Sequence, residues 1–288
     1  MGNIAYLTDI SEGLLAIDVS NPEKPTLLSK IKIGGGGAYA LAVNPNGYAV
    51  ASGYGNSKVA LIDIEDPKNL RIVDEMDAKR SVQDMVMAGN YVYLAIDGPE
   101  VEVLTLKFAE TKIGSSKPEL ISKGVFQIQG GGHAIGLAAA DINKSEGHIL
   151  IIAQGEAGIV FYKKAEEFIM PQPFSAFNIS YVNIVATDEN YFYAGVGNAI
   201  KVLVIKPQKK ITDIKVDDVW GLKVKNNTLY VASGENGVKV LDISDIRNPE
   251  QIALIDTPGR ARSIDVSADG KYIYVADDRD DLQIIQKF

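Results

Sequence analysis

A two-strand pattern occurs seven times along the 288 residues of this chain. In each copy, an aromatic or β-branched segment is followed by a turn rich in Gly or Asn, and then by a second apolar segment that often ends in Asp. Residues 4–8 with 14–18 form the first copy, and residues 272–275 with 282–286 form the last. The equivalent ends Asp18 and Gln286 are six repeats apart, so the period is about 45 residues, which is typical of four-stranded propeller blades.

The paired segments are apolar at nearly every position instead of alternating, which indicates strands that are covered on both faces. A third segment, with a small or short polar residue before a large aliphatic one, lies between the copies. Its members are residues 40–43, 84–87, 136–139, 183–186, 221–224 and 263–266. Small residues suit strands that crowd around a common axis, and a fourth, more polar segment after the Asp turn suits an outer edge.

These patterns predict an all-β fold: one β-propeller domain over residues 1–288, with four-stranded antiparallel blades. Seven blades are expected, with six as the alternative. The first copy lacks the small-residue strand and the last lacks the outer strand, so the terminal blades are predicted to be incomplete. Residues 107–129 are longer than the equivalent segments elsewhere and are expected to form an extended outer strand or an excursion.

Composition excludes several classes of function. The 29 basic and 37 acidic residues give a net charge of −8, which argues against binding to nucleic acid or to an anionic membrane. No apolar run is long enough to span a bilayer, and the N-terminal residues lack the hydrophobic region of a signal peptide. The absence of cysteine excludes disulfides and Cys-ligated zinc.

Two segments, residues 13–25 and 237–249, share a strand that ends in Asp and is followed by Ser, Asn or Asp, and Pro; residues 57–67 are a third copy. They resemble the LVIVD repeat of bacterial and archaeal proteins, many of them extracytoplasmic, which is taken to build β-propellers. The resemblance implies a propeller and a surface or binding role outside the cytoplasm, and it supplies no catalytic motif. Because Asp followed by Ser, Asn and Pro is turn chemistry, Asp18, Asp63 and Asp242 are predicted to cap turns.

The residues that enter the small-residue strands are the candidate binding residues, because this entry lies near one mouth of a propeller channel. The sequence register aligns Tyr39, Gln83, Ile135, Val182, Trp220 and Arg262. With their neighbours, they give a predicted binding set of Tyr39, Arg80, His133, Tyr181, Trp220, Arg260 and Arg262. Trp, Tyr and Arg are the usual anchors of binding surfaces. The alternative is that these side chains only cap the blade ends.

A metal site is a second possibility. Asp84 and Asn183 would lie along channel strands and Asp218 at the mouth, and such oxygen ligands could hold Ca²⁺. The arrangement would resemble calcium-dependent lactonases and esterases of propeller fold, with His133 as a base that activates water. Small polar channel residues that bind only water are the alternative.

Two further polar features are predicted to be structural. The acidic run 277–281 lacks the turn glycine and distal Glu of a calcium loop, so a solvated turn is expected there. His148 has no partner nearby in the sequence and is expected to be exposed.

Three functional hypotheses follow. The first is a monomeric, non-enzymatic binding module without a cofactor, which recognises a protein or glycan at the channel mouth outside the cytoplasm. The second is a Ca²⁺-dependent lactonase or esterase that uses Asp84, Asn183 and Asp218. The third is an architectural repeat of a larger surface assembly, with residues 107–129 as its contact edge.

Overall fold

The computed structural model describes residues 3–44, 46–108, 118–143, 147–164, 170–188, 190–204, 207–279 and 281–287. Within these ranges the chain forms twenty-six β-strands and no helix. It divides into two compact units, Asn3–Ala139 with Lys164–Pro171 and Ala140–Lys163 with Gln172–Phe288.

The first unit holds three antiparallel sheets whose strands follow chain order. The first sheet consists of β1 (Ile4–Asp9), β2 (Gly13–Asp18) and β3 (Thr26–Ile31). The second consists of β4 (Ala38–Asn44), β5 (Tyr48–Gly53), β6 (Lys58–Asp63) and β7 (Arg71–Asp77). The third consists of β8 (Val82–Ala88), β9 (Tyr91–Ile96), β10 (Glu100–Phe108) and β11 (Pro118–Gln127).

Strand β12 (Gly136–Asn143) begins in the first unit and ends in the second. The fourth sheet also contains β13 (Gly147–Ala153), β14 (Ile159–Lys164) and β15 (Gln172–Phe177). The fifth consists of β16 (Val182–Thr187), β17 (Phe192–Val196), β18 (Ala199–Val204) and β19 (Lys209–Lys215). The sixth consists of β20 (Gly221–Lys225), β21 (Thr228–Ala232), β22 (Val238–Asp242) and β23 (Glu250–Ile255), and the seventh of β24 (Ala261–Val266), β25 (Tyr272–Asp277) and β26 (Asp281–Gln286).

These seven sheets confirm the predicted fold class, a seven-bladed β-propeller with antiparallel blades. The first and last sheets have three strands each, and the other five have four. The terminal blades are therefore incomplete, as the missing segments of the first and last copies predict.

The middle strands are buried on both faces. In the first unit, Val50 and Leu61 of the second sheet pack in one cluster with Leu94 and Leu104 of the third, and all four are inaccessible to solvent. A side chain packed this way contributes about 1.5–3 kcal/mol to stability. The continuous apolar pattern of the sequence therefore reports sheets that pack face to face.

The outermost strands each carry one extra residue that breaks the pairing register. The extra residues are Leu28, Val73, Lys123, Phe174, Ile211 and Ile252. A bulge twists an edge strand and discourages pairing with another chain. The described residues of segment 107–129 lie mostly in β10 and β11, which form an extended outer hairpin of the third sheet. Residues 109–117 lie outside the described ranges.

The acidic strand ends cap turns, as the sequence predicts. Asp18 accepts a hydrogen bond from the amide of Ser20 at 2.8 Å, and Asp242 accepts one from Ser244 at 2.8 Å. Asp63 does the same for the residue two positions ahead, at 3.1 Å. Hydrogen bonds from the side chains of Ser20 and Ser244, and then these amide bonds, lower the pKa of Asp18 and of Asp242, so the repeated Asp has a structural role in these blades.

Candidate functional site

The first strands of five sheets share one position, which we call the entry position. In four of them the pairing with the next strand slips by one residue there. The residues at these bulges are Tyr39, Gln83, Asn183 and Arg262. Trp220 holds the same position in the sixth sheet, directly before the Gly221–Ala232 pair. A bulge aims its side chain away from the regular pleat, and none of the five side chains is buried.

The sequence register is wrong by one residue in the fifth sheet. Val182 pairs with Val196 before the bulge and is fully buried, so Asn183 is the exposed residue at the entry position. The shift also affects the metal hypothesis, because Asp84 lies one residue beyond its entry position. Its counterpart in the fifth sheet is Ile184, not Asn183.

In the first unit, the entry residue Tyr39 belongs to an exposed aromatic pair. Its ring centroid lies 6.1 Å from that of Tyr54, with a 39° angle between the planes. The two residues are 47% and 50% exposed, and the hydroxyl of Thr8 donates to the backbone carbonyl of Tyr39 at 2.8 Å. The backbone is thus anchored while both rings face solvent.

Arg80 and His133 come together at Asp97, which the sequence reading missed. The Arg80 guanidinium donates to the backbone carbonyl of Asp97 at 2.9 Å and lies 3.9 Å from the Glu100 carboxylate. His133 Nδ1 lies 3.8 Å from Asp97 Oδ1, and both side chains are about two-thirds exposed. Exposed pairs of this kind contribute little to stability.

In the second unit, Trp220 and Arg262 form a cation–π pair. The guanidinium carbon of Arg262 lies 4.4 Å from the centroid of the indole, which belongs to a residue 42% exposed. Arg262 is held in turn by Asp278, whose Oδ2 accepts a hydrogen bond from Nη2 at 3.0 Å. One face of the exposed indole is therefore covered by a cation that is fixed in place.

Arg260 extends this network. Its backbone amide donates to Asp278 Oδ1 at 2.8 Å, while its guanidinium donates twice to Glu235 Oε1, at 2.8 and 3.1 Å. The amide of Arg260, followed by the side chain of Arg262, lowers the pKa of Asp278. The hydrogen bonds to Glu235 raise the pKa of Arg260, because they stabilise its charged form.

Gly234 allows the backbone to approach the indole of Trp220 closely. Its φ is +55°, and its backbone exchanges two hydrogen bonds with Ala261. A Cβ at this position would lie 2.8 Å from Trp220 Nε1 and closer still to Asp218 Oδ2. We call the exposed array of Asp218, Trp220, Glu235, Arg260, Arg262 and Asp278 the Trp220 surface.

Tyr181 and Asp218 share an unusual backbone conformation. Each lies two residues before an entry position, and their φ values are +64° and +57°. The left-handed region is unfavourable for a residue with a Cβ, above all for a bulky one, and such strain clusters at functional sites. Tyr181 is also 63% exposed, so its ring is available to a ligand.

Asp84 is held by backbone amides of two first strands. Its Oδ1 accepts a hydrogen bond from Met85 at 2.8 Å, and its Oδ2 accepts one from Leu137 of β12 at 2.7 Å. Burial raises the pKa of Asp84 to about 6, although both amide bonds act to lower it. The carboxylate thus joins β8 to β12.

The residues of the metal hypothesis lie in different units, Asp84 in the first and Asn183 and Asp218 in the second. Asn183 is exposed in the bulge of β16, and Asp218 lies against Gly234 in the Trp220 surface. Across the described ranges, no group of three or more His, Cys, Asp or Glu side chains is arranged to hold a metal ion.

One prediction about polar residues is wrong and another holds in part. His148 is only 6% exposed, because it lies in β13, one of the buried middle strands. In the acidic run, Asp278 and Arg279 are exposed, as expected for a solvated turn, whereas Asp277 at the end of β25 is 5% exposed and accepts hydrogen bonds from the amides of Gly259 and Arg279. The acidic run therefore organises the loop that carries Arg260, a role that only the spatial proximity of residues 259 and 277 reveals.

Solved structures share this fold. A candidate 6-phosphogluconolactonase from Bacteroides uniformis superposes with a TM-score of 0.82 at 14% identity, over 100% of this chain and 93% of that one. The WD40 β-propeller domain of Doa1 gives a TM-score of 0.71 at 11% identity, over 99% and 90% of the two chains. The β-propeller domain of Cps50 from Myceliophteria thermophila gives 0.76 at 8% identity, over 100% and 93%. At these identities the likeness shows the fold alone, and it supports the class of seven-bladed β-propellers.

A known repeat matches parts of the chain. The LVIVD repeat matches residues 1–32, 79–100, 217–257 and 258–286. These matches and the seven sheets are consistent with an LVIVD-repeat β-propeller protein. No curated protein sequence matches it. The described part of the chain contains no helix that could cross a membrane.

Proposed function

We propose that this protein is a non-enzymatic binding module that recognises a protein or glycan ligand through the Trp220 surface. The observation that carries the proposal is the exposed indole of Trp220, fixed by Arg262, which is itself fixed by Asp278. Binding hot spots are rich in Trp, Tyr and Arg, and this surface combines an exposed Trp with ordered Arg side chains.

Preorganisation supports the same function. The side chains of Arg260 and Arg262 are already ion-paired, and their backbone is bonded to neighbouring strands. Less conformational freedom is lost when a ligand binds to groups that are already ordered, so more of the contact energy appears as affinity. In the first unit, Tyr39, Arg80 and His133 are candidate ligand contacts in their own right, as is Tyr181 in the second.

The decisive test is ligand capture by the whole chain on glycan and peptide arrays. Wild type should bind a defined set of ligands, and W220A and R262A should lose them while their melting temperatures stay within a few degrees of wild type. L27A is a matched control, because Leu27 is an equally exposed apolar residue of the first unit. Unchanged capture by W220A and R262A would exclude the Trp220 surface as the binding site.

A hydrolase is the second candidate, and Asp84 is the observation that favours it. A carboxyl group whose pKa is about 6 could act as a general base near neutral pH. The fold is also that of a candidate 6-phosphogluconolactonase. Against a calcium site at Asp84, Asn183 and Asp218, both oxygens of Asp84 already accept amide hydrogen bonds, and Asn183 departs from the Asp84 register.

Calorimetric titration with Ca²⁺ and a lactone and ester hydrolysis assay test this candidate. The hydrolase requires turnover that D84N abolishes, and the calcium version also requires saturable Ca²⁺ binding that D84N weakens. Turnover unaffected by D84N would remove Asp84 from the mechanism.

We also propose a location outside the cytoplasm, on the resemblance to LVIVD-repeat proteins. Fractionation of the source cells, with the protein detected by antibody, tests this location, and recovery in the cytoplasmic fraction alone would contradict it.

A further inference from the structure

A pocket of about 340 Å³ lies beside the Trp220 surface in the second unit. It is lined by Asp217, Asn236, Lys239, Leu254 and Asp256. Asp217 precedes Asp218 in the chain, and Asn236 follows Glu235. The pocket and the Trp220 surface therefore both include residues of one turn, 233–237 after β21.

The pocket offers an apolar contact that the fold leaves open. Leu254 is 60% exposed and Ile252 is 54% exposed, and both lie on β23, the outermost strand of the sixth sheet. These two exposed side chains lie two positions apart on an edge strand, and exposed apolar patches mark sites of interaction. Leu254 would therefore receive an apolar side chain of a partner.

The charge around the pocket and the Trp220 surface favours one kind of ligand. Five carboxylates, those of Asp217, Asp218, Glu235, Asp256 and Asp278, stand against four cations, Lys239, Arg260, Arg262 and Arg279. Three of the cations are already paired with carboxylates: Lys239 with Asp217 at 3.1 Å, Arg260 with Glu235 at 2.8 Å and Arg262 with Asp278 at 3.0 Å. The Arg279 guanidinium donates to the Pro258 carbonyl at 3.3 Å. An anionic ligand would have to displace these carboxylates, whereas a cationic ligand meets a surplus of negative charge.

We propose that the Leu254 pocket is a second subsite of the Trp220 surface, and that the two together bind a basic segment of a partner protein. The segment places an apolar side chain on Leu254 and Lys or Arg side chains toward Asp218, Glu235 and Asp256. This inference rests on the proposed function, which it narrows from a protein or glycan to a basic protein segment. A neutral sugar can donate hydroxyl hydrogen bonds to the carboxylates, but it supplies neither an apolar side chain for Leu254 nor a compensating positive charge.

The experiment uses three short labelled peptides in which leucine alternates with lysine, serine or glutamate. Fluorescence anisotropy measures their binding to the whole protein and to W220A, L254S, E235Q and the control L27S. Because Trp220 is the only tryptophan, its intrinsic emission reports independently whether a peptide reaches the surface. L254K, which adds a like charge next to a basic ligand, is a second variant in case L254S does not fold.

The lysine peptide should bind in preference to the other two, and its affinity should fall as salt is added. L254S should weaken binding about fivefold and W220A by more, since central aromatic anchors dominate interface energies, whereas L27S should have no effect. E235Q should weaken binding less than W220A does.

Each other outcome overturns a separate part of the proposal. Binding that depends on Trp220 but not on Leu254 excludes the pocket and leaves the proposed function intact. Preference for the glutamate or serine peptide, or no binding to any of the three, contradicts the proposal that the partner is a basic segment. The proposed binding function is then still tested by ligand capture on the glycan and peptide arrays. Lysine-peptide binding that W220A leaves unchanged contradicts the proposed function itself.

Discussion

Asp97 in the first unit and Asp278 in the second occupy the same position, one residue beyond the second strand of their blades. Each amide donates to the backbone of the segment that enters the first strand, Asp97 to Ser81 at 2.9 Å and Asp278 to Arg260 at 3.2 Å. The side chains differ. The Asp97 carboxylate lies 3.8 Å from His133, whereas the Asp278 carboxylate accepts an amide and a guanidinium hydrogen bond at 2.8 and 3.0 Å.

The comparison shows how one backbone supports different sites. Tyr54 occupies this position in the second sheet and belongs to an aromatic pair. Gly234, two residues beyond β21 in the sixth sheet, packs closely against Trp220. The repeat determines where this residue lies in the blade. The neighbouring residues determine which contacts its side chain makes. A propeller can therefore place its function in one blade without altering the others.

The largest effect is expected at Gly234, on which the tight packing of the second unit depends. G234A introduces a Cβ beside Trp220 and Asp218 and also strains a backbone with φ of +55°. We expect the free energy of unfolding to fall by about 2–4 kcal/mol, from the left-handed conformation and the overpacking together. Chemical denaturation monitored by circular dichroism measures the change.

The equivalent glycine of the fifth sheet is the matched control. Gly197 has a similar φ of +51°, but a Cβ there would meet no atom within 4 Å. G197A should therefore cost only about 1 kcal/mol, the conformational part of the loss. Equal losses for the two variants would mean that the packing against Trp220 contributes nothing.

In the first unit, Asp84 is a carboxylate held by two backbone amides, and its pKa predicts a dependence of stability on pH. Because the folded pKa of about 6 is above the unfolded value of 3.8, the folded state binds the proton more tightly. The contribution of Asp84 to stability is therefore complete below pH 4 and is lost as the pH rises through 6, by about 2–3 kcal/mol in total.

Denaturation of wild type and D84N between pH 4 and pH 8 checks this sign. As the pH rises, wild type should lose stability relative to D84N. The difference between their unfolding free energies should stop changing above pH 7. D265N is the control, because Asp265 also accepts the amide that follows it, at 2.9 Å, but is exposed. A difference that does not vary with pH would show that Asp84 does not titrate in this range.

A smaller effect is expected when Asp278 is neutralised. D278N weakens the hold on Arg262, so the guanidinium should leave the indole for part of the time. Acrylamide should then quench Trp220 emission more strongly than in wild type, and D265N on the same unit should leave quenching unchanged. Identical quenching in D278N would mean that Arg262 stays on the indole without its carboxylate.

The sequence predicts the blades well because their signals are local. Continuous apolar segments report sheets packed on both faces, and Asp18, Asp63 and Asp242 report turn caps from their immediate neighbours. The absence of one strand signal in the first and last copies likewise predicts the two three-stranded sheets.

The site is less predictable because it depends on contacts between distant segments. Trp220 and Arg262 could be assigned to one register, but the bulge that moves Asn183 into the place of Val182 leaves no signal in composition. Asp278 and Gly234 lie in other turns, and their roles appear only where the sixth and seventh sheets pack together.

The smallest effect is expected at Asp97 and His133, the exposed pair of the first unit. D97N and H133A remove an exposed pair with a separation of 3.8 Å, so each should change the free energy of unfolding by less than about 0.5 kcal/mol. D278N, measured in the same way, should destabilise the protein more than D97N, because it weakens two hydrogen bonds instead of one distant contact. A D97N loss as large as that of D278N would show that the shared backbone position, and not the partners of the carboxylate, determines how firmly each residue holds its blade.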